Sequence, residues 1–161
     1  MKKRLLILIG FCLFSAFATQ AQTRVGAFLA YGTEVENLGV GVNGEFYFND
    51  KITLVPSFTF YMTDDSPGVN TSLWEANING QFFFASEQTA LIYGLAGLNY
   101  THSKVEILDE TDRNGELGIN IGVGADFDIN SDIVPFAQLK YVISDFDQLV
   151  LSGGVRFTLG R

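Results

Sequence analysis

Six ionisable residues stand inside stretches that otherwise alternate between apolar and small polar types: Arg24, Glu45, Glu75, Asp126, Lys140 and Arg156. Acids and bases of that kind can line an ion path or neutralise one another in a dry interior. A second candidate is the single histidine, His102, beside Ser103. A hydroxyl nucleophile needs a base within hydrogen-bond reach. Neighbouring residues on a strand point to opposite faces, so this pair is poorly placed for a dyad. His102 reads instead as an exposed histidine at the mouth of a long loop. Gly39-x-Gly41-x-x-Gly44 has the spacing of a dinucleotide fingerprint. That motif works only between a strand and a following helix, and here it lies within one strand, so no cofactor is expected. Glycine there eases curvature or interior crowding. No Cys/His spacing suits a metal.

The elements that hold these residues show period-two alternation from residue 22 onward, with no convincing amphipathic helix. Eight strands are expected at 24–32, 37–48, 52–62, 71–84, 89–101, 116–129, 133–143 and 148–159. They are longer than the usual strand of about 5–6 residues and match the roughly 9–11 needed to cross a bilayer at a tilt. The connections at 49–51, 85–88 and 130–132 are short and turn-like, whereas 63–70 and 102–115 are longer. Short turns at one end and longer loops at the other mark outer-membrane barrels.

Charge decides which face lies outside. The apolar face of the assigned strands has no charged residue: Leu38, Val40 and Val42 run along one strand, Leu117, Ile119 and Ile121 along another. A soluble barrel would turn that face inward and its charges outward; a membrane barrel reverses this. The opposite face carries few charges among Gly, Asn, Gln, Ser and Thr. It could not solubilise a protein, but it can fill a narrow lumen. Aromatics sort to both ends of the apolar face. Phe46, Phe48, Phe82, Phe84, Phe127 and Phe157 fall near the short turns, and Tyr31, Phe60, Trp74 and Tyr141 near the long loops. Two such girdles suit the headgroup levels. Strand 89–101 has no clear face. The expected class is all-β, a closed eight-stranded antiparallel up-and-down transmembrane barrel. Closure follows because an open sheet edge in hydrocarbon would leave unpaired backbone groups.

The first segment is an address. Met1-Lys2-Lys3-Arg4 precedes an apolar run from Leu5 to Ala18, and Thr19-Gln20-Ala21 suits cleavage after Ala21. Residues 1–21 are therefore read as a secretory signal and 22–161 as the barrel domain. Cys12 does not sit in a lipobox, because Phe11 precedes it, and the mature chain has no cysteine. The whole chain carries 10 bases against 18 acids, a formal charge of −8. Without Lys2, Lys3 and Arg4 this becomes −11. Such acidity argues against nucleic acid as a partner. Ten of the acids lie in the long-loop connections: Glu34, Glu36, Asp64, Asp65, Glu106, Asp109, Glu110, Asp112, Asp145 and Asp147. Only Lys104 and Arg113 oppose them there. The rim is a repulsive solvated surface, and the sharper expectation is that divalent cations bridge it to anionic headgroups.

The final strand reads Ser152-Gly153-Gly154-Val155-Arg156-Phe157-Thr158-Leu159. It is similar to the C-terminal signal read by the barrel assembly machinery, with Gly154, Phe157 and Leu159 matching. Family chains often end on Phe, whereas Gly160 and Arg161 follow here. Over the whole mature chain the sequence resembles the small eight-stranded outer-membrane β-barrels of the OmpX or OmpA-barrel type. The resemblance implies a monomer in the bacterial outer membrane, in contact with lipid and lipopolysaccharide. The expected function is a structural or surface-interaction role through acidic external loops, with the lumen plugged and no catalysis. An adhesin, a small pore and a lipid-modifying enzyme are the alternatives.

Overall fold

The computed structural model describes residues 23–63, 69–86, 89–107, 110–129, 131–145 and 147–159. The proposed signal, the last two residues, Asp64, Asp65, Asp109 and the side chains of Glu106 and Glu110 lie outside that description. Eight strands follow in order: β1 (Thr23–Gly32), β2 (Asn37–Asn49), β3 (Ile52–Tyr61), β4 (Val69–Ser86), β5 (Ala90–Ile107), β6 (Glu110–Phe127), β7 (Ile133–Ile143) and β8 (Gln148–Leu159). Each pairs antiparallel with its neighbours in sequence, and β8 returns to β1 through the register Val25↔Phe157 to Tyr31↔Leu151, which closes the barrel.

The alternation becomes an inside and an outside. Leu38, Val40 and Val42 of β2 and Leu117, Ile119, Ile121 and Val123 of β6 are exposed, and Leu117 is 78% accessible. Asn43, Glu45, Asn120 and Asp126 of the same strands are buried. In a water-soluble protein this would be a costly inversion. Against acyl chains it is the favourable arrangement. The face of β5 is settled by its neighbours: Tyr93, Leu95, Asn99 and Thr101 point inward, while Leu98 and Tyr100 point outward. Large apolar groups sit on both faces of this strand, so alternation alone could not orient it.

Two glycines hold one side of the interior open. The Phe28 ring lies over Gly41 of β2, edge-to-face with Phe136 of β7 at 6.1 Å. A Cβ at Gly41 would strike that ring, and a Cβ at Gly154 would strike Ala27 O and Phe28. Phe28 therefore accounts for one glycine of the false nucleotide motif and one of the C-terminal signal. At the short-turn end, Asn49 Oδ1 accepts from the amides of Lys51 and Ile52, both at 2.9 Å, which closes the β2–β3 turn. Bulges at Tyr47/Asn49 and Phe83/Ala85 lie at the same rim.

The long-loop end departs from expectation. β4, β5 and β6 are 18 residues each and outrun their neighbours. β4 pairs with β5 from Val69, although β3 meets β4 only up to Tyr61↔Leu73. β6 pairs with β5 from Glu110, although its pairing with β7 begins at Ile119↔Ile143. The 102–115 stretch is thus mainly a projecting hairpin rather than a loop. Its apolar contrast is confined to Val105 and Ile107 of β5, whose partners on β6 are Asp112 and Glu110, so the hydrophobic period is too short there to mark strands. Outside the bilayer neither face needs to be apolar.

Candidate functional site

The polar lumen holds two charge clusters at different depths. In the lower one, Arg24 of β1 stands opposite Glu45 of β2 in the ladder. Its Nη1 donates to Glu45 Oε2 at 3.1 Å, Asp126 Oδ2 at 3.3 Å and Tyr47 Oη at 2.5 Å. Arg156 of β8 donates from Nη1 to Asp126 Oδ1 at 2.5 Å and lies 3.7 Å from Glu45 Oε1. The four charges sum to zero. Both guanidinium groups also lie over rings, Arg24 over Tyr47 at 5.1 Å and Arg156 over Phe136 at 4.0 Å. Buried charges survive when paired and hydrogen-bonded in this way.

The upper cluster centres on Glu75 of β4, which is fully buried. Lys140 Nζ donates to its Oε2 at 3.1 Å, and Asn77 Nδ2 donates to the same oxygen at 3.4 Å. Gln148 Nε2 and Tyr61 Oη donate to its Oε1 at 2.5 and 3.2 Å. Below it runs an asparagine network. Asn77 Oδ1 accepts from Lys140 Nζ at 3.0 Å, Asn99 Nδ2 at 2.8 Å and Asn120 Nδ2 at 2.9 Å. Asn120 also donates to Asn79 Oδ1 at 2.7 Å. Asn77, Asn99, Asn120, Tyr61 and Gln148 were not among the expected lumen set, which was chosen by charge. Their signal was available for the asparagines: they recur at inward positions of strands with apolar outward partners. Between the clusters is a cavity of about 20 Å³, lined in part by Asn43, Ser57, Thr59, Asn79 and Ser152. That is roughly the space of one water.

On the outside, Tyr31, Phe48, Phe60, Phe82, Phe84, Phe127, Tyr141 and Phe157 are exposed, and Phe46 and Trp74 are half-buried. Trp74 is covered by its neighbours: Phe58 at 5.5 Å, Tyr100 at 5.6 Å and His102 at 5.2 Å between ring centroids. His102 is therefore a strand residue on the outer wall, opposite Trp74 in the ladder, and Ser103 lies on the other face of β5. The loop assignment for His102 fails for the same reason as the 102–115 boundary. Of the C-terminal residues, Gly154 packs inward against Phe28 while Phe157 and Leu159 face out. The rim acids divide between roles. Asp147 Oδ1 accepts the Ser144 amide at 2.8 Å and so caps the β7–β8 turn, whereas Glu34, Glu36, Asp112 and Asp145 are exposed. Among the described residues no three His, Cys, Asp or Glu side chains converge on a point that would hold a metal.

A closed eight-stranded barrel with an apolar exterior, aromatic ends and a charged, packed interior defines an integral outer-membrane protein. The family model described as "Outer membrane protein beta-barrel domain" matches residues 5–157, and the chain belongs to that family. It resides in the bacterial outer membrane. Similar solved structures include the N-terminal β-barrel domain of Pseudomonas aeruginosa OprF, at 17% identity and a TM-score of 0.72, covering 87% of this chain and 100% of that one. Neisserial surface protein A aligns at 15% identity and a TM-score of 0.67, over 86% and 97% of the two chains. The attachment invasion locus protein Ail of Yersinia pestis aligns at 18% identity and a TM-score of 0.61, over 85% and 97%. At these identities they share the fold. A search of curated protein sequences finds no match.

Proposed function

We propose that the protein is a non-conducting surface barrel that acts through the polar hairpin it projects from the membrane. The observation that carries this reading is the overrun of β4, β5 and β6. From Glu110 to Gly118, β6 extends past the start of its β7 pairing. Above the row of Trp74, His102 and Gly115 this leaves Glu110 to Asn114, roughly 15 Å of strand beyond the girdle at about 3.3 Å per residue. Asp112, Arg113, Asn114 and Gly115 along it are exposed, and the pairing with β7 does not reach them. A strand pair held beyond the girdle costs ordering entropy and buries little, which argues for a role in contact with something outside.

The lumen supports the non-conducting half of the reading. Its two layers of paired charge, with a cavity of about 20 Å³ between them, and the narrow interior of an eight-stranded barrel favour a plug over an ion path. That His102 and Ser103 stand on opposite faces of β5 supports a non-enzymatic reading. In this reading residues 1–21 direct export, and Phe157 and Leu159 present the outward apolar edge offered to the assembly machinery, with Gly154 turned inward against Phe28.

The test replaces residues 104–113 with Asn-Gly. Ser103 and Asn114 are ladder partners, so a two-residue turn joins them without distorting the barrel. The shortened protein should keep a heat-modifiable gel mobility and lose adhesion of expressing cells to host-cell or matrix surfaces. Adhesion equal to that of the full protein refutes the surface role. Steady, reproducible conductance in a planar bilayer refutes the plug.

A further inference from the structure

The chain contains three Asn-Gly steps: Asn43-Gly44, Asn79-Gly80 and Asn114-Gly115. Such a step is a latent reaction centre. The glycine amide nitrogen can attack the preceding side-chain carbonyl, because no Cβ hinders the approach or the backbone turn it needs. Folding suppresses the reaction where the side chain is buried and the backbone is fixed in a ladder. The barrel treats the three steps differently.

Asn43 and Asn79 are 9% and 3% exposed, inside the barrel. Gly80 lies between Leu54 of β3 and Ala96 of β5, and Asn79 Oδ1 accepts from Asn120 Nδ2 at 2.7 Å. Asn43 is paired with Gly26 on one side and Ser57 on the other. Asn114 and Gly115, by contrast, are both exposed. Asn114 stands one residue above the row of Trp74, His102 and Gly115, clear of hydrocarbon. Its Nδ2 donates to Glu116 Oε1 at 2.8 Å, a bond that lies in water.

The direction of the Gly115 amide follows from the ladder. Successive residues of a strand send their N–H and C=O groups to alternate neighbours. Asp128 N donates to Thr89 O on the β5 side, and the β5–β6 register runs without a bulge from Phe127 to Glu110. Even-numbered residues of β6 therefore bond toward β5 and odd-numbered ones toward β7. The Gly115 N–H points toward β7, but the β6–β7 ladder begins only at Ile119↔Ile143, so no β7 residue is paired with it.

We propose that Asn114 is a modification site, which deamidates spontaneously through attack by the Gly115 nitrogen. The amide proton passes to hydroxide, the N–Cγ bond forms, and the side-chain nitrogen leaves as ammonia with a proton taken from water. Water then opens the cyclic imide. Cleavage at Cγ gives aspartate; cleavage at the backbone carbonyl gives isoaspartate, with an extra methylene in the main chain. Asp112, Asn114 and Glu116 share one face of β6, so an amide that bonds Glu116 becomes a third carboxylate beside it. Isoaspartate also displaces the chain from its Ser103 partner. The hairpin thereby has a chemical lifetime that the barrel below does not share, whatever the hairpin binds.

Peptide mapping by mass spectrometry of the refolded chain, aged in detergent at neutral and alkaline pH, tests this. The Asn114 peptide should gain the mass of an acid and yield isoaspartate fragments, faster at alkaline pH. Each rate is compared with the same step in the urea-unfolded chain. Folding should slow Asn43 and Asn79 by at least about a hundredfold, because reaction there needs local opening, and Asn114 by less than about tenfold. Gly115→Ala should suppress the reaction at Asn114. The Tyr100 hydroxyl occupies the space of that Cβ, so Gly115→Ala/Tyr100→Phe is measured as well, to keep the fold. Asn114 as protected as Asn43 and Asn79, or an undiminished rate in a folded alanine variant, overturns the proposal. Asn114→Asp reads the consequence: amides of the 103–114 hairpin should exchange hydrogen about two- to fivefold faster than in the wild type. Equal exchange overturns the loosening.

Discussion

Glu75→Ala is the sharpest perturbation of the lumen. The carboxylate receives four donors, from Lys140, Gln148, Tyr61 and Asn77. Its removal leaves the Lys140 ammonium, 4% exposed, with the Asn77 carbonyl at 3.0 Å as acceptor. Breaking a buried ion pair from one side costs about 3–5 kcal/mol, because the stranded charge stays desolvated. With a urea dependence of about 2 kcal/mol per molar, the unfolding midpoint should fall by roughly 2 M. The assay is urea unfolding in phospholipid vesicles, followed by fluorescence of Trp74, the single tryptophan. Glu75→Leu/Lys140→Met removes both charges and should recover at least half of the loss. Full recovery is not expected, since Gln148 and Tyr61 still lose their acceptor, at about 1–3 kcal/mol for a buried group left unsatisfied. A single variant that shifts the midpoint by less than about 0.5 M, or a double variant no better than the single, would refute the claim that this pair is a coupled, desolvated unit.

Other outcomes follow from the walls. Gly41→Ala should lower stability by about 1–3 kcal/mol through overpacking against Phe28, and Phe28→Ala in the same chain should relieve it, as read by the folded fraction on unboiled gels. Val42→Arg, on the lipid face of β2, should cost about 2–4 kcal/mol in vesicle unfolding, whereas Ile129→Arg beyond the end of β6 should cost about 0–1 kcal/mol. Equal penalties at the two sites would contradict the assigned depth. The mature protein from the outer-membrane fraction should have an intact mass beginning at Gln22; a mass that retains Met1 would refute cleavage.

Residues legible in advance were those whose environment the bilayer dictates. In β2, β6 and β8 each outward position meets hydrocarbon and each inward one meets the lumen, so the alternation of Leu38 to Phe48 or Leu149 to Leu159 states the face directly. Tyr93 and Leu95 broke the pattern in β5 because an apolar side chain can also fill a lumen. Ser103 to Asn114 broke it because that stretch runs above the row of Trp74 and His102, where the outer face no longer meets hydrocarbon. Period-two contrast exists only where the two sides of a sheet differ in solvent.

The sequence alone determined the class of protein: strand length, an uncharged outer band, aromatic ends and closure all follow from one-dimensional pattern and the cost of unpaired backbone in lipid. It could not determine which charges meet. Arg24 and Asp126 are 102 residues apart and Glu75 and Lys140 are 65 apart, and their contacts depend on barrel register summed around several strands. A shift of one residue in any ladder would turn a side chain to the other face. The same holds for Lys104 and Arg113, which become neighbours on the outer wall only through the pairing of β5 with β6. Side-chain type is local, whereas shared depth in a closed sheet is a property of the whole circuit.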